Sequence, residues 1–307
     1  MIRFLSLGEI MVEVAPAPDT PGLYRLGYAG DTFNCAWYAR RLLPADWSVS
    51  YGTVIGTDAM SDDLARFVDA QGVATDALRR DATRTVGLYL IQTRDGERSF
   101  AYWRGQAAAK TLADDADWLD ATLANRSVIQ FSGITLAILA PDARKTLCAA
   151  LARARANGAH IAFDTNLRPR LLDSAEAMRA GLLQGAEVSD TVLPSFDEEQ
   201  LAFGDATPED TLDRYRAAGA SCVVIKNGNA PCHGWSREDG TVTCTPPVVR
   251  QVIDSTAAGD SFAAGFLAAR ATGATLGTAM TRASDLASRV IQYPGALAPH
   301  LFNGEIT

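Results

Sequence analysis

The feature that most restricts the fold is a repeated alternation. Short apolar runs, each ending at a polar residue, Gly or Pro, are followed by longer segments with apolar residues at helical spacing. Strands are expected at Phe4–Gly8, Val49–Val54, Val128–Ser132, His160–Asp164, Thr191–Pro194, Val223–Lys226 and Gln251–Asp254. Helices are expected over Thr32–Leu43, Asp58–Gln71, Pro141–Ala156, Ser174–Leu183, Asp197–Phe203, Thr207–Ala218, Ala258–Arg270 and Leu276–Tyr293. Strands separated by helices need crossover connections, and crossovers place strands in parallel under a cover of helices. The expected class is α/β: a doubly wound, mostly parallel sheet flanked by helices, with ligands at the carboxyl ends of the strands. A chain of 307 residues fits one such domain over 1–307 with a small appendage.

Two segments depart from this rhythm. Over 11–28 and again over 85–106 (TVGLYLIQTRDGERSFAYWRGQ) the apolar period is nearer two, and Asp95-Gly96 marks a hairpin turn. They predict a small antiparallel sheet apart from the main one, which serves either as a lid over a site or as edge decoration.

The totals exclude several classes. Lys and Arg number 28 against 36 Asp and Glu, a net charge of −8, so neither nucleic acid nor an anionic membrane is an expected partner. An anionic ligand must then find a local cationic pocket. No apolar run reaches about 18 residues, the length a spanning helix requires. The N-terminal stretch MIRFLSLGEIMVEVAPAP is interrupted by Gly8, Glu9 and Glu13 and reads as a strand, not a leader. Cys35, Cys148, Cys222, Cys232 and Cys244 are odd in number and widely spaced, which fits a reducing cytoplasm better than a disulfide framework or zinc site.

The densest chemistry lies in DSTAAGDSFAAGF, Asp254–Phe266. Asp254 is expected to close a strand and Thr256 to cap the helix that follows. Ala257, Ala258 and Gly259 carry almost no side chain, so their backbone N–H groups would be uncovered at a helix N-terminus, an anion cradle. A carboxylate in that cradle suits phosphoryl transfer to an alcohol: Asp260 takes the hydroxyl proton while the amides stabilise the transferring group. The alternative is a capped helix whose first-turn Asp complements the dipole.

Competing motifs are absent. None of the three lysines, Lys110, Lys145 and Lys226, follows a glycine, so there is no phosphate-binding loop ending in G-K-[ST], and neither G-x-G-x-x-G, H-R-D nor D-F-G occurs. A serine hydrolase built on Ser261 would have only His300 downstream as base. His160 and His233 read as structural, and no metal-ligand spacing of His or Cys is present.

The run Asp254-Ser-Thr-Ala-Ala-Gly-Asp260 resembles the D-T-x-G-A-G-D signature of the ribokinase-like (PfkB) carbohydrate kinases, and its form with alanines before Ser-Phe is most similar to the 2-keto-3-deoxygluconate kinase branch. Four further stretches resemble the family across nearly the whole chain: Ala29-Gly30-Asp31-Thr32-Phe33-Asn34, Tyr89 with Tyr102-Trp103-Arg104, Ser132-Gly133-Ile134-Thr135-Leu136, and Asp164-Thr165-Asn166-Leu167-Arg168-Pro169-Arg170. The resemblance implies a ribokinase-like fold with a β-sheet lid. It also implies ATP-dependent phosphorylation of a sugar acid at its terminal hydroxyl, with fructokinase or ribokinase activity as the neighbouring alternative.

The same resemblance assigns roles. Asp260 is the implied general base, with the amides of Ala257, Ala258 and Gly259 around the phosphoryl group. Gly30, Asp31, Asn34, Tyr89, Tyr102, Arg104, Ile134 and Arg168 are implied substrate ligands; Arg104 and Arg168 suit the carboxylate of a sugar acid by charge-assisted hydrogen bonds, and Arg168 has nucleotide phosphate as its other partner. Asn166, Ser195, Lys226, Gly228 and Ser284 are implied for ATP. Glu198 is implied for Mg2+, through water, since Ser195 stands where many members have Asn. The resemblance leaves open a monovalent cation near the Asp254 loop, and a homo-oligomer built on lid sheets or helical faces.

Overall fold

The computed structural model describes residues 2–17, 20, 22–94, 97–171 and 174–302. Its strands are β1 (Arg3–Leu7), β2 (Met11–Pro16), β3 (Tyr24–Ala29), β4 (Ser48–Ile55), β5 (Leu78–Arg80), β6 (Leu88–Arg94), β7 (Glu97–Trp103), β8 (Val128–Ser132), β9 (His160–Asp164), β10 (Thr191–Val192), β11 (Cys222–Ile225), β12 (Cys232–Ser236) and β13 (Gly240–Cys244). The helices are α1 (Asp31–Leu42), α2 (Ala59–Ala70), α3 (Ala116–Leu123), α4 (Gly133–Ala137), α5 (Pro141–Ala156), α6 (Ala175–Glu187), α7 (Phe196–Phe203), α8 (Pro208–Ala217), α9 (Ala258–Ala271) and α10 (Leu276–Val290).

Nine strands form the large sheet in the order β13-β12-β11-β10-β9-β8-β1-β4-β5. From β5 to β11 every pairing is parallel; β12 and β13 close one edge as an antiparallel hairpin. Both faces are buried, which is why the strands read as unbroken apolar runs. Phe4 and Val128 face one core, with α1, α9 and α10; their neighbours Leu5 and Ile129 face the other, with α3, α5, α6 and α8. The chain leaves β1 toward β4 and β5 and later returns to β8 on β1's other side, so strand order reverses at β1. The carboxyl ends of the strands at such a reversal are where doubly wound sheets bind ligands.

Local chemistry accounts for many helix starts. Asp58 accepts from Ser61 N at 3.0 Å to cap α2, and Ser174 accepts from Ala177 N at 3.1 Å to cap α6. Thr207 and Asp210 form a reciprocal capping box at α8. Ser132 does the same with Thr135 at α4, so the chain turns into a helix directly as β8 ends.

Four strands form a separate sheet, β3-β2-β6-β7, from the two segments of period two. It is mixed, because β2 and β6 pair in parallel. Met11, Ala15, Ala29, Tyr89 and Ile91 on one face pack toward Ala257, Ala296 and Leu297, which sets this sheet against the start of α9. The expected Asp95-Gly96 turn lies outside the described residues.

One expected strand does not form. Over 251–254 the N–H groups of Ile253 and Asp254 both donate to Ile291 O, just past α10, and Val252 and Ile253 are more than half exposed. The apolar pair docks on a helix end instead of a sheet edge. Thr256 does not cap α9: its N–H and hydroxyl donate to Asp254 Oδ1, at 3.0 and 2.6 Å, while Oδ2 accepts from Gly295 N at 2.8 Å. Asp254 thus folds the loop onto itself, and Ala257 enters the helix from the left-handed region at φ 61°.

Candidate active site

The strand switch brings together acids and amides from distant parts of the chain. Asp260, in the first turn of α9, accepts a hydrogen bond on Oδ2 from Asn34 Nδ2 of α1 at 2.8 Å. Asp31, at the start of α1, accepts on Oδ2 from Asn166 Nδ2 at 2.9 Å; Asn166 follows β9 with φ 29°. Asp164, the last residue of β9, accepts from Lys226 Nζ at 2.7 Å. A Cβ on Gly259 would lie 3.5 Å from that Nζ, so the ammonium reaches the α9 turn. Expected residues from four motifs thereby meet in one place.

Burial pushes the Asp260 carboxyl up from its ordinary 3.8 to about 8, helped by the negative charges of Asp31 and Asp164 and opposed by Asn34 and Lys226. Burial raises Asp164 too, against the pull of Lys226. Lys226 keeps its proton more tightly than an ordinary lysine: burial works against its charge, but Asp164, Glu198 and Asp260 more than compensate. Among the described residues, the Lys226 ammonium therefore sits amid several carboxyls, of which Asp260 is pushed up to about 8.

Of the three small residues expected to leave their amides uncovered, Ala257 and Gly259 do so among the described residues, whereas Ala258 N donates to Ser255 O at 3.2 Å. The turn that lifts Ala257 into the left-handed region closes that bond, so the cradle has fewer free donors than expected.

The remaining expected residues fall into neighbouring groups. Glu198 accepts from Leu167 N on Oε2 at 2.9 Å and from Arg168 Nη1 on Oε1 at 3.2 Å; burial raises its pKa, and Lys226 and Arg168 counter this. Ser195 bridges Lys226 through the backbone. Gly228 is exposed at φ 57° in the turn after Lys226. Ile134 lies half-buried in α4, and a Cβ on Gly133 beside it would come 2.0 Å from Thr165 O. That contact draws the ends of β8 and β9 together. On the small sheet Tyr89 donates to Glu13 Oε2 at 2.5 Å, Tyr102 is 52% exposed, and Arg104 donates through Nη2 to Glu9 Oε2. A Cβ on Gly30 would lie 2.2 Å from Glu9 O, so only glycine permits that approach.

Ser284 lies on α10 against the edge hairpin. It is 3% exposed, with its hydroxyl 3.9 Å from Cys232 Sγ and 4.0 Å from Cys244 Sγ, inside the packing of α10 on the edge hairpin. The register of α10, invisible in a local motif, turns it inward. Sequence reasoning missed Glu9 and the pairing of Asp164 with Lys226. The available signal was the same for both acids: a carboxylate at or just past the carboxyl end of an apolar strand.

A nucleotide fits these residues, since free α9 amides and the Lys226 ammonium converge on Gly259. A protein cage for a metal does not: among the described residues no group of three or more His, Cys, Asp or Glu could hold an ion. All five cysteines are free, and no described helix is long and apolar enough to cross a membrane.

A doubly wound sheet, a small second sheet packed against a helix N-terminus, and a carboxyl in that helix's first turn define the class of ribokinase-like small-molecule kinases. A PfkB protein from Polaromonas sp. JS666 has the same fold, with a TM-score of 0.83 and 28% identity over 99% of both chains. A fructokinase from Xylella fastidiosa solved with bound ATP superimposes with a TM-score of 0.82 at 24% identity, over 96% of this chain and 93% of that one. The chain belongs to the pfkB family of carbohydrate kinases, whose profile matches residues 1–301. It is 38% identical over 305 residues to the 2-dehydro-3-deoxygluconokinase of Escherichia coli strain K12, covering 97% of each.

Proposed function

We propose that the protein transfers the γ-phosphoryl group of ATP to the terminal hydroxyl of 2-keto-3-deoxygluconate, giving the 6-phosphate. The observation that carries the chemistry is Asp260: a carboxyl in the first turn of α9, held by Asn34, whose pKa burial pushes up to about 8. Its ionised form accepts the proton of the substrate hydroxyl, whose oxygen forms the new bond to phosphorus as the bond to the β-phosphate oxygen breaks and ADP leaves. The amides of Ala257 and Gly259, with Lys226 beside them, stabilise charge on the group in flight.

Magnesium carried by the triphosphate would offset its charge, in keeping with that ion's preference for phosphate and water over an all-protein cage. Glu198, whose two oxygens accept from Leu167 and Arg168, would reach it through water. Asp31, Asn34 and the small sheet hold the sugar acid, and the sheet acts as a lid that keeps water from the phosphoryl group. The substrate class follows from the E. coli relative together with Arg104 and Arg168, two cations suited to a carboxylate. A neutral-sugar kinase is the second reading, favoured by one fact: both arginines already pair with Glu9 and Glu198.

A coupled ADP-release assay over 2-keto-3-deoxygluconate, its C4 epimer, fructose and ribose tests the substrate. Preference for either acid supports the first reading, and turnover of neutral sugars alone overturns it. Asp260→Asn should bind ATP and sugar acid with near-normal affinity and lose about 100-fold or more in kcat. Turnover close to wild type would remove Asp260 as the base.

A further inference from the structure

Glu9 stands two residues beyond the carboxyl end of β1, at the strand switch, and is 2% exposed. Its Oε2 accepts from Arg104 Nη2, joining the large sheet to the small one, since Arg104 directly follows β7. As side chains the two are 1% and 13% exposed. The pair is incompletely satisfied: Glu9 Oε1 and Arg104 Nε have no hydrogen-bond partner among the described residues.

A buried ion pair with loose ends is a poor device for stability alone, because apolar side chains of similar volume do as well. Here the acid is also gripped. A Cβ on Gly87 would lie 2.7 Å from Glu9 Oε1, and a Cβ on Gly30 2.2 Å from Glu9 O. Glu9 is thus fixed between the turn that presents Asp31 and the segment that leads into β6 and Tyr89. Its charge is felt by the same surroundings, since Asp31 and Lys110 both act on its proton affinity, which burial raises.

We infer that Glu9 is a positioning residue: it holds the Arg104 guanidinium at the cleft so that its remaining donors meet the carboxylate of a sugar-acid substrate. This rests on the role proposed above for Arg104. An arginine side chain has several rotatable bonds, and anchoring one Nη removes that freedom before substrate arrives. Glu9 itself acts only through Arg104 and does not touch the transferred phosphoryl group.

The test is a double-mutant cycle on KM and kcat for 2-keto-3-deoxygluconate with Glu9→Ala, Arg104→Ala and both together. Glu9→Ala should raise KM about tenfold with kcat within about threefold, and in the Arg104→Ala background it should change KM less than about twofold. Glu9→Gln, which keeps an oxygen for Nη2, should fall between; it takes the place of Glu9→Ala in the cycle if that variant does not fold. A purely structural Glu9 would lower kcat and melting temperature without this split. If Arg104→Ala raises KM but Glu9→Ala does not, or if their effects multiply, the positioning role is overturned while the reading of Arg104 stands. If Arg104→Ala leaves KM unchanged, the reading of Arg104 fails and the inference falls with it.

Discussion

Asp260→Asn offers a prediction in which stability and activity move in opposite directions. In the unfolded chain Asp260 titrates near 3.8, whereas in the folded protein burial, chiefly, pushes it to about 8. Between those values the folded state retains a proton that the unfolded chain has released, so stability falls as pH rises through that window. At about 1.4 kcal/mol for each tenfold change, the ceiling on the penalty above pH 8 is roughly 6 kcal/mol. Most of that penalty, about 4 kcal/mol, accrues between pH 5 and pH 8.5. Asparagine keeps the shape and removes the charge. Measured without ligands by thermal unfolding at pH 5 and pH 8.5, the variant's advantage over wild type should grow by about 6 °C at the higher pH for a chain of this size. An advantage that does not change with pH, or a wild type that is the more stable at pH 8.5, would refute the account of Asp260 as a carboxyl ionised at a cost.

Three more predictions use other parts of the site. The kcat/KM profile should rise with pH toward a plateau with an apparent pKa near 8, because the base must lose its proton in the free enzyme; a flat profile from pH 6 to 9 would contradict it. Lys226→Met leaves Asp164 buried without its cation and should destabilise the protein by about 3 kcal/mol at pH 7.5. Part of that loss should return at pH 5 as Asp164 takes up a proton, and chemical denaturation at the two pH values checks it. Gly133→Ala would set a Cβ 2.0 Å from Thr165 O and should lose about 2 kcal/mol together with activity. Gly277→Ala, inside α10 where the Cβ meets Val242 at 3.5 Å, should gain about 0.5 kcal/mol or more, and equal effects at the two glycines would show that the contact is misjudged.

Most of the architecture was legible in the sequence because both-face burial leaves continuous apolar runs and helices leave a periodic stripe. β8, β9 and α5 match their expected limits residue for residue. What local pattern left open shares a cause. The segment over 251–254 has the composition of a strand, but whether it pairs depends on an open sheet edge, and it meets the end of α10 instead. Ser284 occupies a plausible helical position, but only the packing of α10 on Cys232 and Cys244 shows which way it points. The site residues were named motif by motif, and their separation in the chain hid their partners: Asn34 and Asp260 are 226 positions apart, and Lys226 and Asp164 are 62 apart.

By itself, then, the sequence determined the α/β class, the second sheet and the acid set among small residues at a helix start, because those follow from periodicity and side-chain size within a few turns of chain. Tertiary structure alone decided which carboxyls crowd together, which cation sits among them, which amide of the α9 turn is already taken and which acid holds Arg104. Those outcomes depend on Coulomb forces and desolvation between groups brought close by the crossovers. Such terms depend on distance and burial in space, and neither can be read along a chain.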